Sequence, residues 1–209
     1  MFTIGITGGT GAGKTSALRA LSAFGAHIMD CDKIYHELLA QNEQLKSDLN
    51  SRFDGVLIDG EIDRKRLGEI VFRDKEALSD LGAITHKYVG TEVESQVANW
   101  AAQGGKIAAI DAIALFESGR SETCDVTIGI IAPRETRIVR IMKRDGITRE
   151  QAEMRINAQK PDSFFKENCD YLLEGKYETS AEFEEECKAF FTKLLTENGL
   201  GGINNAGQG

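Results

Sequence analysis

The sequence is poor in two features that would assign it to common functional classes. It has no excess of positive charge, since 25 lysines and arginines stand against 33 aspartates and glutamates and give a formal net charge of −8. Binding along a nucleic-acid backbone requires a face rich in lysine and arginine, so broad contact with DNA or RNA is not expected, although a local basic pocket stays open. The four cysteines stand far apart and form no C-x-x-C pair. This pattern indicates neither a zinc site nor a disulfide framework, and we expect reduced thiols.

The sequence also lacks long apolar runs, and we expect no leader segment. No apolar run approaches the length that spans a bilayer, and the chain passes from Met1 directly into a strand-like segment without the charged region and cleavage site of a signal peptide. We therefore expect a soluble, cytoplasmic protein. With 209 residues and 41% apolar content, the chain is long enough for one substantial core with inserted subdomains.

The strongest pattern present is a glycine-rich loop near the N-terminus. Residues 8–15, Gly-Gly-Thr-Gly-Ala-Gly-Lys-Thr, match the phosphate-binding pattern G-x-x-x-x-G-K-[ST] at every fixed position. Residues 2–7 read as a buried strand and residues 16–21 as a helix, so the loop joins a strand to a helix. Its backbone N–H groups and the positive end of the helix dipole would hold a polyphosphate. Lys14 would meet the β and γ phosphates, and the Thr15 hydroxyl would bind Mg²⁺.

Two aspartates, Asp30 and Asp32, follow a second predicted strand at residues 26–29. Ligands of open α/β sheets bind beyond the carboxyl ends of the strands, which places this pair on the same rim as the phosphate loop. One aspartate could act as a base or orienting group for a hydroxyl nucleophile, or it could cap the helix predicted to begin at Lys33. The residues alone leave the two roles open, and each aspartate could take one of them.

Residues 33–103 read as mainly helical, with a turn and a short extended piece at residues 54–60. Asp63 and Thr85 are predicted N-caps of helices in this segment. The segment is too long for a simple crossover between strands, so we predict an inserted helical subdomain. Three adjacent cations at residues 64–66 form either a patch for an anionic substrate or part of a solvated helix face, which is the commoner role of such charges.

Asp111 ends an apolar, strand-like run at residues 106–111. An aspartate in this place can reach Mg²⁺ directly or through water. The next residue is Ala112, where a water-activating ATPase commonly has an acid. The sequence therefore favours transfer to a bound substrate over hydrolysis.

A basic helix is predicted from Arg134 to Lys143, after a strand at residues 126–131. Arg137, Arg140 and Arg144 recur at spacings of three and four and share one helix face. This face is either a lid that brings guanidinium groups over the transferring phosphate or a solvated face paired with nearby acids, and the phosphate loop favours the lid.

The C-terminal third carries predicted helix starts and one more strand. A capping box at residues 148–151 begins a helix toward Gln159, residues 169–173 form the last strand, and Ser180 caps an amphipathic helix to about Leu195. Residues 198–209 are rich in glycine and asparagine, which predicts a frayed tail.

These motifs together resemble the dephospho-CoA kinase family, and the likeness runs from Met1 to about Leu195. The segments that carry it are residues 4–15, 30–32, 63–65 with Leu67, 84–86, 115–117 after Asp111, 140–145 and 158–159. Three segments depart from the family pattern: Lys87, residues 112–114, and Leu173-Glu174-Gly175. We expect the first two to alter packing near the CoA subdomain, and we assign none of Leu173, Glu174 and Gly175 a binding role.

The resemblance implies an α/β fold of the P-loop nucleoside triphosphate hydrolase type, a three-layer α/β/α arrangement with a five-stranded parallel sheet. The nucleotide-binding core would comprise residues 1–29, 105–133 and 168–197. Residues 30–104 would form the helical CoA-substrate subdomain, residues 134–167 the helical lid, and residues 198–209 a flexible tail.

The same resemblance implies ATP-dependent phosphorylation of the ribose 3′-hydroxyl of dephospho-CoA, with Mg²⁺ as cofactor. It implies no nucleic-acid or membrane partner and a monomer or weak homo-oligomer. The implied catalytic residues are Asp32, Lys14, Arg140 and Arg144. The implied ATP-binding residues are Gly8, Gly9, Thr10, Gly11, Ala12, Gly13, Lys14, Thr15 and Ser16. Asp32, Arg64, Lys65 and His86 would bind the substrate, and Thr15 and Asp111 the metal.

Two rival functions are weighed against this one. Another small-molecule kinase, acting on a nucleoside or nucleotide, would share the core and the lid but have a different acceptor pocket. A regulatory GTPase would need a guanine-selecting Asn-Lys-x-Asp element, and the sequence contains none.

Overall fold

The computed structural model describes residues 1–177 and 179–202. Their secondary structure, in chain order, is β1 (Phe2–Gly8), α1 (Lys14–Ala23), β2 (His27–Asp30), α2 (Cys31–Gln41), α3 (Glu43–Arg52), β3 (Leu57–Ile58), β4 (Glu61–Ile62), α4 (Arg64–Val71), α5 (Lys75–Ala102), β5 (Ile107–Asp111), β6 (Val126–Ile131), α6 (Arg134–Asp145), α7 (Arg149–Asn157), α8 (Asp162–Asn168), β7 (Tyr171–Glu174) and α9 (Ser180–Glu197). No helix in the described part of the chain is both long and apolar enough to cross a membrane.

Five strands form one sheet in the order β2-β5-β1-β6-β7. The central strand β1 pairs in parallel with β5 on one side, Ile4 opposite Ala109, and with β6 on the other, Ile4 opposite Val126. Residues 3–8 are all buried, as expected for a central parallel strand covered on both faces. The predicted fold class, α/β with a five-stranded parallel sheet and flanking helices, is confirmed.

The chain divides into two compact units, one of Met1–Ile28 with Trp100–Gly209 and the other of Met29–Asn99. In the first unit, sheet residues pack with α1 and α9 around Leu21, Phe183 and Phe191. A smaller cluster in the same unit joins α6 to α7. The second unit has its own core, built on α2 to α5 and the β3–β4 hairpin. The functional names and boundaries given above to the core, the CoA subdomain and the lid stay predictions.

Two predicted N-caps, Thr85 and Ser180, do not cap helices in the structure. Thr85 does not cap a helix; it lies inside α5, where its hydroxyl donates to the Leu81 carbonyl at 2.8 Å. The Asp74 carboxylate instead accepts from the Glu76 N–H at 2.8 Å where α5 begins. The N-cap of α9 is Thr179, not Ser180.

The structure describes residues 198–202 of the predicted tail. The Leu200 N–H donates to the Leu195 carbonyl at 2.7 Å, and Gly199 has φ of 75°. Residues 198–200 thus form a glycine-based helix terminus, and the frayed tail stays a prediction. Residues 203–209 of the predicted tail lie outside the described residues. Helix α8 was not predicted at all.

Candidate active site

The phosphate loop connects the end of β1 to the start of α1 and adopts backbone conformations that favour glycine. Gly8, Gly11 and Gly13 have φ values of 139°, 75° and 114°. A Cβ atom on Gly8 would lie 2.2 Å from the Ile130 carbonyl oxygen of the neighbouring strand β6. The loop can therefore follow this path only because glycine occupies these positions.

Lys14 and Thr15 form the first turn of α1. The Lys14 ammonium donates to the Gly8 carbonyl at 3.1 Å, which folds its side chain back over the loop, and Thr15 is exposed. The N-cap residue Gly13 offers no side-chain oxygen to the first amides of α1. These N–H groups and the helix dipole suit an anion. The hydroxyl of the buried Ser16 donates to the Ser180 carbonyl at 3.3 Å, so this side chain ties α1 to α9.

Arg140 and Arg144, two predicted catalytic residues, contact the phosphate loop from α6. The Arg140 guanidinium donates to the Gly11 and Ala12 carbonyls, both at 3.3 Å, and to the Tyr177 carbonyl at 2.9 Å. Burial lowers its pKa, but an arginine stays charged near neutral pH. The Arg144 guanidinium donates to the Thr10 hydroxyl at 3.3 Å. Two arginines of α6 therefore contact the predicted phosphate loop directly.

Arg144 also pairs with the adjacent carboxylate of Asp145, at 2.7 Å and 2.9 Å. The hydrogen bond that Arg144 donates to Asp145 raises the pKa of Arg144 and lowers the pKa of Asp145. Arg155 donates to this carboxylate as well, at 2.5 Å, and so links α7 to the end of α6.

Arg137 differs from the other two arginines on this face. Its side chain is buried, and it donates to the Thr10 carbonyl at 2.9 Å, to Gln159 at 3.2 Å and to Asp162 at 3.3 Å. Burial lowers its pKa, while Asp162 acts in the opposite direction. The guanidinium of Arg137 thus engages the loop backbone.

Asp111 lies at the carboxyl end of β5, opposite Ile6 in the register with β1. The two strands continue to pair beyond it, since the Ala112 N–H donates to the Ile6 carbonyl at 3.1 Å. Asp111 is half-buried one strand away from the phosphate loop. Within the described ranges there is no group of three or more His, Cys, Asp and Glu residues that could hold a metal ion.

Asp30 and Asp32 have different local roles in the second unit. The Asp30 carboxylate accepts from the Lys33 N–H at 3.0 Å and is the N-cap of α2. Asp32 lies exposed in the first turn of that helix. The sequence left open which aspartate caps the helix, and the structure shows that Asp30 does. Asp32 is not the N-cap.

Arg64 and Lys65 begin α4 and are both exposed. Their position is set by Asp63, whose carboxylate accepts from the Lys65 and Arg66 N–H groups at 3.0 Å each, as predicted. His86 is half-buried within α5. These predicted substrate-binding residues all belong to the second unit.

Two contacts of the loop were not predicted from the sequence. The Gln159 side chain accepts from the Thr10 N–H at 2.8 Å. A Cβ atom on Gly175 would lie 2.3 Å from the Ala12 carbonyl oxygen, so the glycine that departs from the family pattern permits a close approach to the loop. No local pattern points to either contact; residues 158–159 stood out only through the family resemblance.

The comparisons with known proteins agree with one another. The family model described as dephospho-CoA kinase matches residues 2–180. A dephospho-CoA kinase of Geobacter sulfurreducens is 36% identical over 163 residues, which cover 77% of this chain and 83% of that protein.

Solved structures give the same result. The dephospho-CoA kinase of Campylobacter jejuni is similar with a TM-score of 0.67 at 28% identity, covering 94% of this chain and 98% of that one. Shikimate kinase of Acinetobacter baumannii, at 15% identity and a TM-score of 0.52 over 94% of each chain, shares the fold alone.

Proposed function

This chain belongs to the dephospho-CoA kinase family, and on that premise we propose how its residues carry out the reaction. The enzyme transfers the γ-phosphoryl group of ATP to the ribose 3′-hydroxyl of dephospho-CoA and releases CoA and ADP, the final step of CoA biosynthesis. The observation that supports the residue assignment most directly is the contact of Arg140 and Arg144 with the phosphate loop.

The phosphate loop, Gly8 to Ser16, would hold the phosphates of ATP through its backbone N–H groups. Lys14 would exchange the Gly8 carbonyl for phosphate oxygens, and its charge with those of Arg140 and Arg144 would stabilise the transferring phosphoryl group. Before substrate binds, Arg140 is already held by loop carbonyls and Arg144 by the Thr10 hydroxyl, which would limit the reorganisation needed in the transition state.

Asp32 would accept the proton of the ribose 3′-hydroxyl as its oxygen attacks the γ-phosphorus and the bond to the ADP oxygen breaks. Arg64, Lys65 and His86 would bind dephospho-CoA, whose phosphates are complementary in charge to the two exposed cations. Asp30, as the helix cap, would not take part in proton transfer.

Thr15 and Asp111 offer oxygen donors that suit Mg²⁺, which usually takes one or two protein ligands and completes its shell with phosphate oxygens and water. Bound there, the ion would neutralise charge on the β and γ phosphates. We also propose a cytoplasmic location, a monomer or weak homo-oligomer, and no nucleic-acid or membrane partner.

The test is ADP release from the purified protein with Mg²⁺ and ATP, comparing dephospho-CoA with adenosine, AMP and no acceptor. We expect rapid release with dephospho-CoA alone and a product that carries phosphate on the 3′-oxygen. ADP release with AMP or adenosine would mean that the acceptor is a nucleotide or a nucleoside instead of dephospho-CoA. Release without any acceptor would indicate an ATPase.

A further inference from the structure

Two side chains hold the backbone of Thr10 in the middle of the phosphate loop. Gln159 Oε1 accepts from the Thr10 N–H at 2.8 Å, and Arg137 Nε donates to the Thr10 carbonyl at 2.9 Å. Arg137 Nη2 also donates to Gln159 Oε1 at 3.2 Å, so the two side chains orient each other. We name Arg137 and Gln159 the Thr10 clamp.

The clamp is itself fixed by its surroundings. Arg137 is only 4% exposed, and its third contact is an ion pair with Asp162 at 3.3 Å. A Cβ atom on Gly9 would lie 2.2 Å from Arg137 Nη2, so the loop leaves room for the guanidinium at this position. A buried guanidinium with partners on each side has few alternative orientations, and its charge-assisted hydrogen bonds are stronger than neutral ones.

The loop needs such a constraint because its glycines permit many backbone conformations. Gly8, Gly11 and Gly13 have positive φ, a region that glycine enters as readily as negative φ. A polyphosphate is bound only when several N–H groups converge on it. If the binding-competent loop is populated only in part, the apparent affinity falls by that fraction.

We propose that Gln159 is a positioning residue for ATP: through Thr10 it keeps the phosphate loop in its binding-competent conformation without contacting the nucleotide. The inference rests on the proposed function, because it takes the loop to bind ATP. It extends that function by giving Gln159, in the segment after α7, an effect on the affinity for ATP.

The experiment compares Gln159→Leu with Gln159→Glu by calorimetric titration with Mg²⁺-ADP and by steady-state kinetics. Leucine removes the acceptor oxygen and leaves a backbone N–H unsatisfied, so we expect the ADP dissociation constant and the KM for ATP to rise about tenfold. The KM for dephospho-CoA and kcat should change less than about threefold, because the clamp acts on nucleotide binding. Glutamate keeps an acceptor oxygen beside Arg137 and should restore ADP binding to within about threefold of the wild type.

Gln151→Leu is the matched control, at the start of the helix that precedes Gln159. The exposed Gln151 closes the capping box at the start of α7, so its loss should lower Tm without weakening ADP binding. Unchanged ADP binding in Gln159→Leu, or equal weakening in Gln151→Leu, would overturn the inference. A wild-type chain that binds ADP but does not phosphorylate dephospho-CoA would overturn the proposed function alone, because the ADP titrations still test the clamp.

Discussion

At the scale of single residues, Asp30 caps a helix and Asp32, two residues later, does not. The Asp30 carboxylate is used by the Lys33 N–H, whereas Asp32 is exposed beside it. Both are aspartates close to the end of β2, so composition cannot distinguish them. Backbone position does, because only the residue preceding the first helical turn can accept from its free amides.

Replacing Asp32 by asparagine tests its role as the base. We expect Asp32→Asn to lower turnover about a hundredfold or more, as for the loss of a positioned base, with ADP binding close to that of the wild type. The measurements are the rate of ADP release with dephospho-CoA and calorimetric titration with Mg²⁺-ADP.

The control for this variant is Asp30→Asn. Asparagine caps helices about as well as aspartate, so this variant should keep turnover within about threefold of the wild type. Near-normal turnover in Asp32→Asn would remove Asp32 from the chemistry. A comparable loss of turnover in Asp30→Asn would mean that Asp30 has a role besides capping the helix.

Replacing Lys14 by alanine tests the phosphate loop. Among the described residues the Lys14 ammonium donates one hydrogen bond, to the Gly8 carbonyl, so Lys14→Ala should lower the free energy of unfolding by only about 1 kcal/mol and Tm by a few degrees. Phosphoryl transfer should become undetectable, because the charge on the β and γ phosphates is no longer balanced. Lys193→Ala, which removes an exposed cation of α9, should leave both activity and Tm unchanged. Residual transfer near the wild-type rate in Lys14→Ala would contradict the loop assignment.

The sequence predicts Lys14 and Thr15 because the phosphate-binding pattern is local and each of its positions has a backbone reason. The Thr10 clamp could not be predicted this way. Gln159 contacts Thr10 across 149 positions, and neither helical periodicity nor a turn pattern relates residues so far apart. Only the packing of α6 and α7 in the first unit brings them together.

At the scale of helices and strands, the starts of helices were predictable when the cap and the amides it binds lie within three residues. This holds for Asp63 and for the capping box at residues 148–151. Thr85 misleads because a threonine hydroxyl can also bond a carbonyl one turn earlier inside a helix, as it does here. Ser180 misleads because it follows a better cap, Thr179, which with Glu182 has capping-box spacing.

The assignment of Thr179 gives a stability prediction for α9. The Thr179 hydroxyl accepts from the Glu182 N–H at 3.2 Å, and the Glu182 carboxylate accepts from the Thr179 N–H at 3.1 Å. Thr179→Ala should lower the free energy of unfolding by about 1 kcal/mol. Ser180→Ala should change it by less than about 0.5 kcal/mol, because Ser180 contributes its backbone carbonyl to Ser16 and alanine keeps that group. Urea denaturation of both variants checks this, and a larger loss in Ser180→Ala would reverse the cap assignment.

At the scale of the whole molecule, the sequence predicts an insertion because the interval between two strands is too long for a crossover. Its exact end could not be predicted. The helix α5 runs without a break through Lys75–Ala102, past the boundary between the two units at Asn99. The two units are separated by the way their side chains pack into two cores. No change in composition along the chain marks the boundary between them.

Because the two units have separate cores, amide hydrogen exchange, which reports local opening, can map the binding site of each substrate to one unit. Mg²⁺-ADP should slow exchange in the phosphate loop, and dephospho-CoA alone should slow it in α4 and around His86. Arg64→Ala should abolish the effect of dephospho-CoA and leave that of ADP, since Arg64 belongs to the second unit and is not part of the proposed ATP site.

The matched control is Arg66→Ala, since the Arg66 guanidinium lies against the Gly55 turn, 2.7 Å from where a Cβ of Gly55 would stand. Its removal should leave the protection by both ligands in place. Protection by dephospho-CoA confined to the first unit would contradict the substrate role of Arg64, Lys65 and His86. An equal loss of the protection by dephospho-CoA in Arg64→Ala and Arg66→Ala would mean that the total charge at the start of α4 attracts the substrate, rather than the predicted residues.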